Sequence, residues 1–331
     1  MKGDKLMKNF KKICRKNQME LKGWLEKLLK AKYKEVVNGD GFLYAKGNVP
    51  ILLTAHMDTV HKEQCKEIVV VKEKGKTVLS SPQGIGGDDR CGVWMIYMIL
   101  TRTRYRPSVL FCEDEEIGGV GSNKFCKTDY IKDLTELKYL VELDRANDKD
   151  AVFYDCGNSA FMYYIESETG YKEAWGSFSD ISHLSPDSDV ASVNLSCGYY
   201  KAHTVNEYVV FEEMYNTFKV VKKLLSKAKD AEEYDYQEVK SYYEKYKYSS
   251  YYDDFDYAYG YNFKKKTKTY NATEDKKIYQ FIFNDDGNEE YDVVYANTVT
   301  EALGEFFYAN PTICFNNLID YYEVEDYLEV I

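Results

Sequence analysis

Thr54-Ala55-His56-Met57-Asp58-Thr59, Gly86-Gly87-Asp88-Asp89-Arg90-Cys91-Gly92 and Cys112-Glu113-Asp114-Glu115-Glu116-Ile117-Gly118 fall within a span of 65 residues in a chain of 331. Each piece borders an apolar run and forms a polar turn, and each delivers an imidazole or carboxylates to that turn. Ile51–Ala55, Ser108–Cys112 and Tyr139–Leu143 predict strands, the first so apolar that it belongs in the middle of a sheet. Val93–Thr101, directly behind Asp89, predicts a buried helix, and Phe211–Ala228 a longer one with Met214, Phe218, Val221 and Leu225 on one stripe. Strands alternating with helices predict an α/β layered domain, a mixed sheet flanked by helices in three layers. In such sheets functional groups collect at the carboxyl ends of strands. His56, Glu115, Glu116 and Asp144 all follow predicted strands.

Outward from this centre, residues 4–33 predict a lysine-rich surface helix, and Ile68–Val71 with Thr77–Leu79 a hairpin. The chain changes character near residue 230, since 19 of its 33 tyrosines lie from Tyr234 onward. Residues 1–229 therefore read as one domain, the one that carries these polar pieces, and 230–275 as a Tyr-rich charged linker. Residues 276–331 read as a small C-terminal α+β appendage. Its predicted strands are Ile278–Phe283 and Tyr291–Tyr295, and Thr298 with Glu301 forms a capping box before a helix over 302–308. A segment from Tyr321 to Val330 adds a strand or short helix.

Composition narrows the function. A formal net charge of −11 argues against a nucleic-acid partner. No apolar run approaches the length needed to span a bilayer, so no membrane partner is expected. Eight scattered cysteines without a Cys-x-x-Cys pair, and no export signal, predict free thiols and a cytoplasmic protein.

Taken singly, each polar piece has a plain reading. His56 and Asp58 could be a strand-end pair, Asp88-Asp89 a helix cap, and Glu113–Glu116 a solvated acidic run. Imidazole and carboxylate are also the usual donors for zinc, with manganese or cobalt as alternatives. Residues i and i+2 of an extended segment point the same way, so Asp58 can reach His56 and fix its tautomer.

In order, His56-Met57-Asp58, Gly87-Asp88-Asp89-Arg90-x-Gly92, Glu115-Glu116-x-Gly118, Asp144 and His203-Thr204-x-Asn206-Glu207 resemble the co-catalytic dinuclear zinc exopeptidases. That superfamily includes peptidase T and the bacterial leucyl aminopeptidase type. The resemblance spans about residues 40–225. It implies two zinc ions held by His56, Asp89, Glu116, Asp144 and His203. Asp89 would bridge them, Asp58 would orient His56, and Glu115 would be the general base. Asp88 matches the position before an unusual cis peptide. The implied reaction is amide hydrolysis, first as an aminopeptidase acting on peptides. A carboxypeptidase or N-acyl amidohydrolase would use the same centre, and a non-catalytic binding protein could keep the fold. Only 58 residues separate Asp144 from His203, too few for the lid and dimerisation domain usual in the peptidase T type. Oligomeric state is therefore open. Gly176–His183 resembles the Ser-Asp loop of the aminopeptidase type, which makes Asp180 and His183 candidates for substrate or oxyanion contacts. His61 reads as a pocket-rim residue.

Overall fold

Parallel pairing of three apolar strands sets the centre of the fold. The computed structural model describes residues 2–238, 277–285, 288–296, 306 and 318–324. The Tyr-rich segment over 239–275, the Thr298–Glu301 capping box and most of its helix lie outside the described residues.

In chain order the first unit contains α1 (Lys2–Cys14), α2 (Gln18–Lys30), β1 (Val37–Gly39), β2 (Phe42–Ala45), β3 (Val49–His56), β4 (Val69–Glu73) and β5 (Lys76–Ser80). Next come α3 (Gly87–Arg102), β6 (Pro107–Cys112), α4 (Val120–Cys126), β7 (Tyr139–Arg145), β8 (Asp150–Val152) and α5 (Ser159–Thr169). The remainder is β9 (Lys172–Glu173), α6 (Ile181–Ser188), β10 (Ser192–Ser196), β11 (Tyr199–Tyr200), β12 (Tyr208–Val210) and α7 (Phe211–Lys227). Eight strands form one mixed sheet in the order β1-β2-β6-β3-β7-β10-β8-β9. Within it β6, β3, β7 and β10 run parallel, so their carboxyl ends share one edge. These strands are buried along almost their whole length, and β3 and β6 accordingly read as largely apolar runs.

One face of the sheet packs against α1, α3, α5 and α7, with Trp94 of α3 touching Phe10, Phe211 and Phe218 edge-on. The opposite face packs against α4 and α6 through Phe125, Ile181 and Leu184 on Leu52, Leu110 and Leu140. The expected three-layer α/β architecture is present. The stretch between Asp144 and His203 contributes β8, α5, β9, α6, β10 and β11 to this core or its flanking hairpin. A smaller antiparallel sheet, β11-β12-β5-β4, holds the turn that carries His203.

Two local expectations change. The single helix over 4–33 is two, because Asn17 caps α2 and Glu20 returns the bond to the Asn17 N–H. Helix α6 begins inside Gly176–His183, which reads as a loop. α6 holds although Pro186 lies inside it, because Ile181 and Leu184 bury against the sheet.

Compact packing divides the chain at Val239. Residues 230–238 stay with the first unit: Tyr234 is buried against Tyr139, Phe161 and Tyr164. The second unit contains an antiparallel sheet of β13 (Lys277–Asp285), β14 (Asn288–Ala296) and β15 (Leu318–Val324), ordered β14-β13-β15. Phe281 stacks on Phe306 within it, both fully buried.

Candidate metal centre

His56 is the last residue of β3 and is fully buried. Its Nδ1 lies 3.1 Å from Asp58 Oδ1, as the extended i, i+2 geometry requires. Asp58 also accepts the backbone N–H groups of Glu115 at 3.1 Å and Glu116 at 3.0 Å. It therefore fastens the loop after β6 to the loop after β3. This second duty has no sequence signature, because the partners are 57 positions apart in the chain.

On its other side, His56 Nε2 lies 3.0 Å from Asp88 Oδ1 and 3.4 Å from Asp144 Oδ1. The second oxygen of Asp88 lies 3.2 Å from His203 Nε2, which is itself 3.0 Å from Glu116 Oε2. One carboxylate thus stands between two imidazoles. That carboxylate belongs to Asp88, not to Asp89. Asp89 accepts the N–H of Gly92 at 2.8 Å and of His56 at 3.2 Å. Its spacing to Gly92 is that of a capping residue, and this signal was available in the sequence. The Asp88–Asp89 peptide is cis. Gly92 is required by contact: a Cβ there would lie 2.0 Å from the Leu143 carbonyl oxygen, so α3 can press its first turn onto β7.

Asp144, next to last in β7, is held from several sides. Its N–H donates to Asn194 at 2.8 Å, Ser179 donates to Oδ2 at 3.0 Å, and the Tyr199 hydroxyl donates to its carbonyl at 3.2 Å. Asp180 and His183 divide. Asp180 is fully buried, and neither of its oxygens has a hydrogen-bond partner among the described residues. His183 lies in the first turn of α6, edge-on to Phe178 and beside Gly119 of the Glu115–Gly119 loop. His61 pairs with Glu207 at 2.8 Å.

Charge in this cluster is unbalanced. Burial pushes the Glu115 carboxyl up to about 9, aided by Asp144, Asp180 and Asp88 against the opposing effect of His56. Burial and then Asp88 push Asp144 up to about 8. Burial, partly offset by His203, also raises Glu116, whose Oε1 is buried without a partner. Burial would raise Asp88 too, but its bonds to His203 and His56 outweigh it and hold that carboxyl well below the usual range. Crowded carboxylates with an orphan oxygen and two imidazoles are a donor set that suits divalent cations. Among the described residues, two groups have donor atoms within 4.8 Å of one another, His56 with Asp89 and Asp144, and His56 with Asp88 and Glu116.

No family model matches the chain, and no curated protein matches it. Solved structures do. Aminopeptidase PepT from Bacillus cereus superposes with a TM-score of 0.54 at 14% identity, covering 68% of this chain and 98% of that one. A tripeptidase from Staphylococcus aureus gives 0.54 at 12% identity, covering 67% and 97%. The chain has the fold of these peptidases. The likeness read from the five motifs thus holds at the level of the fold.

Proposed function

We propose that this chain is a metal-dependent peptide hydrolase of the aminopeptidase kind, working with a pair of divalent cations, zinc in the first instance. The observation that carries this reading is Asp88, whose two oxygens face His56 and His203 separately. His56 and Asp144 would hold one cation, Glu116 and His203 the other, with Asp88 shared between them. The aminopeptidase and the tripeptidase that share the fold act on peptides, and we bring that substrate class to this chain.

When bound, the cations lower the pKa of a water toward neutrality and polarise the substrate carbonyl. Glu115 accepts the proton of the attacking water and delivers it to the departing amine. Asp58 keeps the His56 ring oriented and, through the two N–H groups it accepts, fixes the backbone from which Glu115 and Glu116 project. Ser179, Asn194 and Tyr199 hold Asp144 in place.

Elemental analysis of the purified full chain, with hydrolysis of aminoacyl, N-acyl and dipeptide substrates with and without a chelator, tests the reading. Two cations per chain and chelator-sensitive cleavage of substrates with a free amino terminus are expected. Activity that survives chelation, or no bound cation, overturns it.

A further inference from the structure

Glu207 is a fully buried carboxylate without Lys or Arg beside it among its hydrogen-bond partners. Its Oε1 accepts the N–H of Asp88 at 2.9 Å. Its Oε2 accepts the N–H of Gly86 at 2.9 Å and lies 2.8 Å from His61 Nε2. Glu207 and these partners come from three segments. His61 follows the His56–Asp58 strand end by three residues, Gly86 and Asp88 open α3, and Glu207 itself lies four residues beyond His203. Every one of the three carries a proposed ligand. Packing confirms the fit: a Cβ on Gly87 would come within 3.2 Å of Glu207 Oε1 and 2.8 Å of Tyr199 and Val209.

A buried carboxylate costs several kcal/mol to desolvate and must be met by donors. Here all the donors come from the segments that hold the Asp88 carboxylate opposite the two imidazoles. Moving any of them shifts Asp88 relative to His203, the ligand with the most exposed side chain of the set. We propose that Glu207, anchored by His61, is a positioning residue that sets the geometry of the Asp88–Glu116–His203 half of the centre. The inference rests on the two-cation reading above.

Cobalt(II) titration of the full chain, followed by visible absorption and calorimetry, tests it on the wild type, Glu207→Gln, His61→Ala and His61→Gln. Glu207→Gln should weaken one of the two binding steps about 10–100-fold and leave the other within about threefold. His61→Ala should weaken the same step. His61→Gln, which keeps an N–H donor toward Glu207, should restore it, and these two variants carry the test if Glu207→Gln does not fold. Two unchanged steps in Glu207→Gln overturn the inference. So do equal losses in both steps, or a His61→Gln variant no better than His61→Ala. A wild type that takes up no cobalt overturns the two-cation reading with it, whereas a wild type that takes up two with Glu207→Gln unaltered overturns this inference alone.

Discussion

Asp88 and Asp89 are chain neighbours with opposite duties. The Asp88 oxygens contact imidazoles, whereas the hydrogen bonds of the Asp89 oxygens go to backbone N–H groups. Asp88→Asn should therefore cost more than tenfold in cation affinity while the chain stays folded. Asp89→Asn should retain cation binding but lose about 1–3 kcal/mol of stability, because an amide nitrogen would meet one of two buried N–H groups. Calorimetric titration and denaturant unfolding separate the two outcomes. Equal cation loss in both variants would return the bridging role to Asp89. Glu115→Gln should keep both cations and lose turnover by about 10²–10⁴-fold, since the proton carrier goes while the ligands stay. The imidazoles, with Asp144 pushed up to about 8, set the pH dependence. For His56, burial opposes protonation, but Asp144, Asp58 and Asp88 outweigh it and raise its pKa well above the usual value. Bonds to Asp88 and Glu116 raise His203 to about 11. Both rings hold protons near neutrality in the cation-free chain, and a cation requires them neutral. Cation binding must then release protons and tighten as pH rises, by about tenfold per pH unit for each proton released. Titrations in buffers of different ionisation enthalpy count those protons, and a pH-independent affinity would contradict the sign.

Elements were legible where burial was total. β3 and β6 announce themselves because a parallel strand covered on both faces is largely apolar, so the polar residues just past its end stand out, whereas β7 also buries Glu142 in its middle. α6 did not, because Ser, Asp and Pro are poor helix formers and its support comes from sheet residues distant in the chain. The break between α1 and α2 was written in Asn17 and Glu20, a cap masked by the apolar spacing on either side of it. The same distinction between local and distant constraint governs two glycines. Gly23 lies in α2 with nothing near its missing Cβ, so Gly23→Ala should stabilise the chain by about 0.4–1 kcal/mol. Gly92 opens onto the Leu143 carbonyl, so Gly92→Ala should destabilise it by about 1–3 kcal/mol or more and displace the neighbouring Asp144. Denaturant midpoints give both signs, and two shifts in the same direction would refute the contact argument.

Across the whole molecule, the composition change near residue 230 and the structural division are offset. Tyrosine enrichment begins at Tyr234, yet that ring completes an aromatic cluster on α5 and β7, and its carbonyl accepts the Ala191 N–H at 2.8 Å. Asp235 and Gln237 carbonyls are likewise bonded, to Asn158 and Gly157. Composition cannot separate a tyrosine that closes a core from one in a biased segment, since only its tertiary partners differ. The centre itself draws every proposed ligand from residues 56–203, inside the unit that ends at Val239. A chain cut after Val239 should therefore unfold cooperatively and bind the same number of cations as the full chain. Cutting after Lys229 removes Tyr234 and the bonded segment behind it. That loss should cost about 3–5 kcal/mol, the scale of deleting a large buried aromatic side chain. Denaturant unfolding and elemental analysis of the two truncations decide the matter. Equal stability of both would show that residues 230–238 add nothing to the core, and loss of cations from the longer one would show that the second unit takes part in the centre.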